Sequence, residues 1–219
     1  MSQPQRSFEL LQAGDTEGLL RLLDEMPGAA NDKDAAGVSL LMHCLYRGRR
    51  ELAEAIAAKK QDLDVFEAAS LGQLEQLREC LRDAGSLNSY SPDGFTALHF
   101  ACYFGQPEAA RLLLEQGANV DAVANNQTRV MPLHSAASAR NLAAVRLLLE
   151  RGAPVNARQQ AGWVPIHAAA QNGDGEMADL LLKHGADAGI TNDQGKTAAM
   201  VAREKGHTQI AAVLEGAKT

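Results

Sequence analysis

The chain has 219 residues, 46% hydrophobic but only 4% aromatic, so alanine and leucine must build most of any core, which suits closely packed short helices. Its formal charge of −6 argues against the basic stripe of a sequence-independent nucleic-acid binder and against docking on anionic lipid. No apolar run approaches the roughly 20 residues that span a bilayer, and three cysteines with no CxxC pair argue against a disulfide framework.

The N-terminal stretch "MSQPQRSFELLQAGD" lacks the apolar segment of a secretory signal, so a reducing, cytoplasmic setting is expected. From Ser7, "SFELLQAGDTEGLLRLLDE" reads as two short helices broken at Gly14. "VSLLMHCLYRG" from Val38 repeats that pattern, with Gly48 in the place of Gly14. A helix over Glu51–Lys59 should then run almost directly into one near Val65, because Gly48 and Gly72 lie well under one period apart. The row of turns should be interrupted there. "LDVFEAASLGQLEQLRECL" from Leu63 restores the phase, with Gly72 a full period ahead of Gly105.

Four stronger copies follow. They are "TALHFACYFGQPEAARLLLEQGANVDA" from Thr96, "MPLHSAASARNLAAVRLLLERGAPVNA" from Met131, "VPIHAAAQNGDGEMADLLLKHGADAGI" from Val164 and "TAAMVAREKGHTQIAAVLEGAKT" from Thr197. Their starts are almost evenly spaced, the step from Thr96 to Met131 being slightly the longest. Thr96 and Thr197 are expected to cap the first helix of their copies, and Pro132 and Pro165 suit its first turn. Ala101, Ala136, Ala168 and Ala202 should let neighbouring helices approach closely. Gly105, Gly173 and Gly206 should end that helix, and Gly117, Gly152 and Gly185 should end the second. Arg129 stands where other copies have Gly94, Gly162 and Gly195, so its turn should have its own shape. In the last copy Arg203, Glu204 and Lys205 should give a polar cap.

The period of about 33 and the TALH, MPLH and VPIH openings resemble the ankyrin repeat. The resemblance covers essentially the whole chain and is strongest over residues 91–216. It implies an all-α solenoid of stacked helix-turn-helix units with protruding loops. Seven units are expected as a single domain, at 5–33, 34–60, 61–90, 91–125, 126–158, 159–191 and 192–219. One unit cannot bury its own apolar face, so neighbour interfaces should supply most of the stability.

The resemblance also assigns directions. Loop tips and the inner face of each first helix form the usual binding surface. Val38, Phe95, Trp163 and Lys196 should lie exposed on loops. Tyr46 and Arg47, Ser70 and Leu71, Tyr103 and Phe104, and Gln171 and Asn172 should face the concave side, with Ser138 and Ala139 equivalent. Tyr90 falls on the preceding loop. The expected partner-binding set is therefore Tyr46, Arg47, Tyr90, Phe95, Tyr103, Phe104, Trp163, Gln171 and Asn172. Phe8, Phe66 and Phe100 should point into the core. Tyr, Trp and Arg are enriched at binding hot spots, though some of these rings could instead fill gaps left by missing loops.

Little in the sequence suggests chemistry. His99, His134 and His167 recur a repeat apart and should hydrogen-bond adjacent turns rather than hold a metal. Ser135 in "HSAAS" lacks the setting of a nucleophile. "GDGE" from Gly173 is too short for a calcium loop, and Asp174 should cap a helix. Cys44 and Cys102 should be inert core thiols. No cofactor is expected. The leading expectation is a monomeric, non-catalytic module that captures one folded protein partner. An inhibitor or immunity-type regulator of an enzyme, using the same surface, stays open, as does an accessory of an enzyme.

Overall fold

A computed structural model describes residues 3–217; the expected end of the last unit at 219 lies outside them. Fourteen α-helices account for the architecture among the described residues, taken here as seven antiparallel pairs. The pairs are α1 (Gln3–Ala13) and α2 (Thr16–Glu25); α3 (Leu40–Tyr46) and α4 (Arg50–Ala57); α5 (Val65–Leu71) and α6 (Leu74–Cys80); α7 (Ala97–Tyr103) and α8 (Pro107–Glu115). The remaining three are α9 (Pro132–Ser138) and α10 (Leu142–Glu150); α11 (Pro165–Asn172) and α12 (Gly175–Lys183); α13 (Ala198–Glu204) and α14 (Thr208–Gly216). Among the described residues β pairing is confined to two isolated bridges, Lys33 with Ser39 and Thr191 with Thr197. The fold is the expected all-α stack. From α5 onward, first helices pack on first helices and second helices on second helices.

Helices of seven to nine residues are marginal alone, so the stack must hold them. Leu113, Leu148 and Leu181, at equivalent places in α8, α10 and α12, are all fully buried. Ala101, Ala136 and Ala202 are buried where first helices meet. Ala168 differs from expectation. Ala169 takes the close-packed place, and Ala168 occupies the position of Phe100, where it stays half-exposed.

The turns stack through the histidines. His99 Nδ1 accepts the N–H of Thr96 at 3.2 Å, and Nε2–H donates to the Val130 carbonyl of the next turn at 3.1 Å. His134 does the same with Met131 and Ala157, and His167 with Val164 and Lys196. The expected threonine caps are corrected by this geometry. The Thr96 hydroxyl bonds the His99 ring at 2.8 Å instead of a first-turn N–H. In the last unit Met200 replaces the histidine, and the buried Thr197 hydroxyl has no hydrogen-bond partner among the described residues. Met200 is 49% exposed, so α13, the first helix of the last unit, is not uniformly polar, although Lys196–Glu204 and Arg203–Glu215 pairs flank it. Neighbouring turns are also joined main chain to main chain, Asn125 to Gly94 at 2.8 Å, Gln160 to Thr128 at 2.9 Å and Asp193 to Ala161 at 3.0 Å.

The short connection from α4 to α5 leaves a notch in the row of turns. Residues 58–64 replace a full loop, and Lys60 reaches into it to pair with Glu67 at 2.8 Å, both side chains nearly buried. The second Glu67 oxygen accepts the N–H of Asp64 at 3.1 Å, while Asp64 caps α5. Burial, then the neighbouring Glu67, raises the Asp64 carboxyl above its ordinary value. Across the notch the turns of the second and fourth units come together. A β-carbon on Gly37 would lie 3.4 Å from Pro92, and the Tyr46 hydroxyl donates to Asp93. Beneath this closure Ser70 and Leu71 are buried rather than facing the hollow, and Val38 is buried rather than exposed on its loop. Ser70 donates to the Phe66 carbonyl at 2.7 Å.

Candidate functional site

Four positions recur along the concave side, and their side-chain sizes shape it. The fourth unit places Phe95, Phe100, Tyr103 and Phe104 at them. The fifth unit has Val130, Ser135, Ser138 and Ala139 at the same four, and the sixth has Trp163, Ala168, Gln171 and Asn172. The fifth unit is therefore a low floor between two taller walls.

Two abutting cavities result. One, of about 350 Å³, lies among Tyr46, Phe95, Phe100, Tyr103, Val130 and Ser135. The other, of about 430 Å³, lies among Val130, Gln159, Trp163, Ala168, Gln171 and Asn172. Thr128, Val130, His134 and Ser138 line both, so together they form one trough. A larger hollow of about 550 Å³ lies elsewhere, between α2 and α4, and is lined by Leu20, Arg49, Arg50 and Glu51 without a ring.

The two linings bring together six of the nine expected partner-binding residues, Tyr46 among them, with a seventh, Phe104, close by. Tyr103 is 50% exposed and meets Phe104 edge-on, with ring centroids 5.2 Å apart. Phe95 is half-buried, its ring 5.6 Å from Phe100 and 5.8 Å from His99. Trp163 lies 5.4 Å from His167. Gln171 is exposed, whereas Asn172 turns its amide toward the Ala137 carbonyl at 3.3 Å and so also ties two units together. Phe104 sits behind the wall, half-buried and stacked on Phe100 at 6.2 Å.

Three residues stand differently. Tyr46 lines the first cavity, but its hydroxyl is committed to Asp93 across the notch, and its ring stacks on Phe104 at 6.1 Å. Burial, then the Asp93 hydrogen bond, raises the Tyr46 phenol well above its ordinary value. Arg47 lies outside both linings, its guanidinium against the His43 ring at 3.2 Å. Tyr90 is also outside them and donates to the Val123 carbonyl at 3.0 Å. The floor residues Thr128, Val130 and Ser135 were absent from the expected set. Their signal is the substitution of small side chains at positions where the preceding unit carries rings.

Burial lowers the pKa of His99 to about 4 and also lowers those of His134 and His167, so all three rings are neutral near pH 7. Burial raises the Cys44 thiol to about 11 and raises Cys102 further. Among the described residues no three His, Cys, Asp or Glu side chains converge on a metal-sized site. No helix among them is long and apolar enough to cross a membrane.

Models of ankyrin repeats match residues 65–159 and 148–202, which together cover more than half of the chain. Over 87 residues, 39% of this chain, it is 41% identical to human BCL-6 corepressor-like protein 1, covering 5% of that protein. It is 34% identical over 112 residues, 50% of this chain, to the human DNA-binding protein RFXANK, of which 43% is covered. It is 47% identical over 70 residues, 32% of this chain, to the mouse B-cell lymphoma 3 protein homolog, of which 15% is covered. The matched stretch spans less than half of each of these relatives. With the helix pairs, the recurring histidines and the stacked turns, these matches show that the chain belongs to the ankyrin-repeat proteins.

Proposed function

We propose that this chain is a non-catalytic module that captures a folded protein partner in the trough between Tyr103 and Trp163. The single observation that carries the reading is a concave surface where two units with large side chains flank one with small side chains. Half-exposed rings there offer apolar area without the entropy cost of long flexible chains. Such rings at the centre of an interface are where truncation typically costs about 2 kcal/mol or more of binding. The seven units are read as one domain with the boundaries given above, acting as a monomer in the cytoplasm, without a cofactor and without nucleic acid or membrane as its target.

The test is affinity capture from native lysate with the intact chain and with Tyr103→Ala combined with Trp163→Ala. The captured partner should be lost from the variant while its thermal unfolding stays close to that of the parent. Undiminished capture, or loss that follows only from changes on the outer helices such as Glu108→Ala with Arg111→Ala, would contradict the reading. If the captured partner is an enzyme, assaying it with and without the chain separates inhibition from tethering.

A further inference from the structure

The trough is free of charge. Neither lining contains an Asp, Glu, Lys or Arg, and the lining rings of His99 and His134 are neutral near pH 7. Asp93, Arg129, Arg158 and Asp193 stand on the loops outside both linings, two of each sign. In a chain that is 22% charged, this neutrality discriminates among occupants. An ionised group brought into the trough would lose water without gaining a partner of opposite sign.

The two halves differ in what their polar atoms still offer. In the first cavity the Tyr46 hydroxyl donates to Asp93, and both ring nitrogens of His99 and of His134 are occupied. What remains is mainly the apolar surface of Phe95, Phe100, Tyr103 and Val130, with the Tyr103 and Ser135 hydroxyls. In the second cavity the side chains of Ser138 and Gln171 make no hydrogen bond among the described residues. Gln159 has its Oε1 buried with no partner among them, and a turn of that amide toward the cavity would bring it to a donor. A carboxamide both donates and accepts, so Gln159 and Gln171 match the N–H and C=O of a peptide group.

We infer that the trough receives an extended, uncharged segment of the partner, an inference that rests on the trough being the docking surface. One apolar side chain fills the cavity among Phe95, Phe100 and Tyr103. A main-chain peptide group lies against Gln159 and Gln171, beside Trp163. A helix uses its main-chain N–H and C=O groups on itself, whereas an extended segment leaves them to be satisfied by the surface it meets. Neighbouring packed helices are about 10 Å apart, and an extended chain advances about 3.3 Å per residue. The peptide group therefore lies about three residues from the apolar side chain.

Random linear peptides displayed on phage, selected on the full chain and screened for loss of binding to Tyr103→Ala, supply the probes. The Tyr103-dependent peptides should share an apolar residue with no Asp, Glu, Lys or Arg within about three residues of it on one side. Synthetic copies should bind equally at low and high salt. Methylating the backbone nitrogen about three residues from the apolar residue should weaken binding to the parent chain about tenfold. The same methylation should cost much less against the Gln159→Ala, Gln171→Ala double variant. That variant should unfold at the parent's temperature, because Gln171 is exposed and the Gln159 Oε1 has no partner to lose. A shared charge at that spacing, affinity that falls with salt, or methylation equally harmful to both proteins overturns the uncharged extended segment and leaves the docking surface standing. A selection that yields no Tyr103-dependent peptide overturns both.

Discussion

His99, His134 and His167 each serve two groups with one ring, and only the neutral ring can do so. Nδ1 must be an unprotonated acceptor for the main-chain N–H at the helix start, while Nε2–H donates to the next turn. For His99 the folded-state pKa is about 4 against an ordinary value of 6.5. The unfolded chain therefore takes up the proton first as pH falls. The stability this ring contributes is complete above pH 6.5 and drains away down to about pH 4, by up to about 3 kcal/mol for His99 alone. Urea midpoints measured from pH 7 to pH 4 should fall across this window, and less steeply in His99→Gln. A flat midpoint in the parent chain would contradict the assignment. The recurrence of the three histidines made their bridging role legible in the sequence. The capping role of the same rings was not, because the Thr96 hydroxyl suits a first-turn N–H and only the fold shows it turned to the His99 ring, which takes Thr96's own N–H.

At the scale of the element, the connection from α4 to α5 shows what spacing can and cannot reveal. Gly48 and Gly72 stand too close in the sequence to leave chain for a full loop, so the missing turn is readable before any coordinates. The Lys60–Glu67 pair is not, since Lys60 lies in an ordinary polar stretch and is buried only because α5 comes so close. Ser70 and Leu71 likewise follow a template that assumes a turn above them. Without it, the neighbouring turns meet over α5 and cover both. A buried ion pair is costly to half-remove. Lys60→Met should destabilise the chain by about 3 kcal/mol, by leaving Glu67 unpaired, and Lys60→Met with Glu67→Leu should recover much of that loss. Equilibrium denaturation of the single and double variants checks this. Equal stability of Lys60→Met and the parent would show that the pair does not hold the junction.

Across the whole molecule, eight of the nine Phe, Tyr and Trp residues, all but Tyr90, do two jobs. Phe8, His43, Tyr46, Phe104, Phe100 and Phe66 form a continuous run of ring contacts, each link between 5.1 and 6.5 Å, across the units that flank the missing turn. That run fills space a loop would otherwise fill, which is why the rings crowd where the repeat is least regular. Phe95, Tyr103 and Trp163 stand at the rim instead and leave the floor of the fifth unit open. The resemblance to the ankyrin repeat placed rings toward the concave side. It did not separate Tyr46, whose hydroxyl is committed within the chain, from Tyr103, whose hydroxyl is not hydrogen-bonded among the described residues. Nor did it reveal the floor, which is defined by small side chains and so becomes visible only when the units are superposed position by position.

Hydrogen–deuterium exchange of the chain, free and with its captured partner, tests the docking surface most directly. Protection should concentrate in residues 95–104, 124–138 and 159–172, with α8, α10 and α12 exchanging as before. Protection confined to those outer helices, with the trough unchanged, would contradict the account.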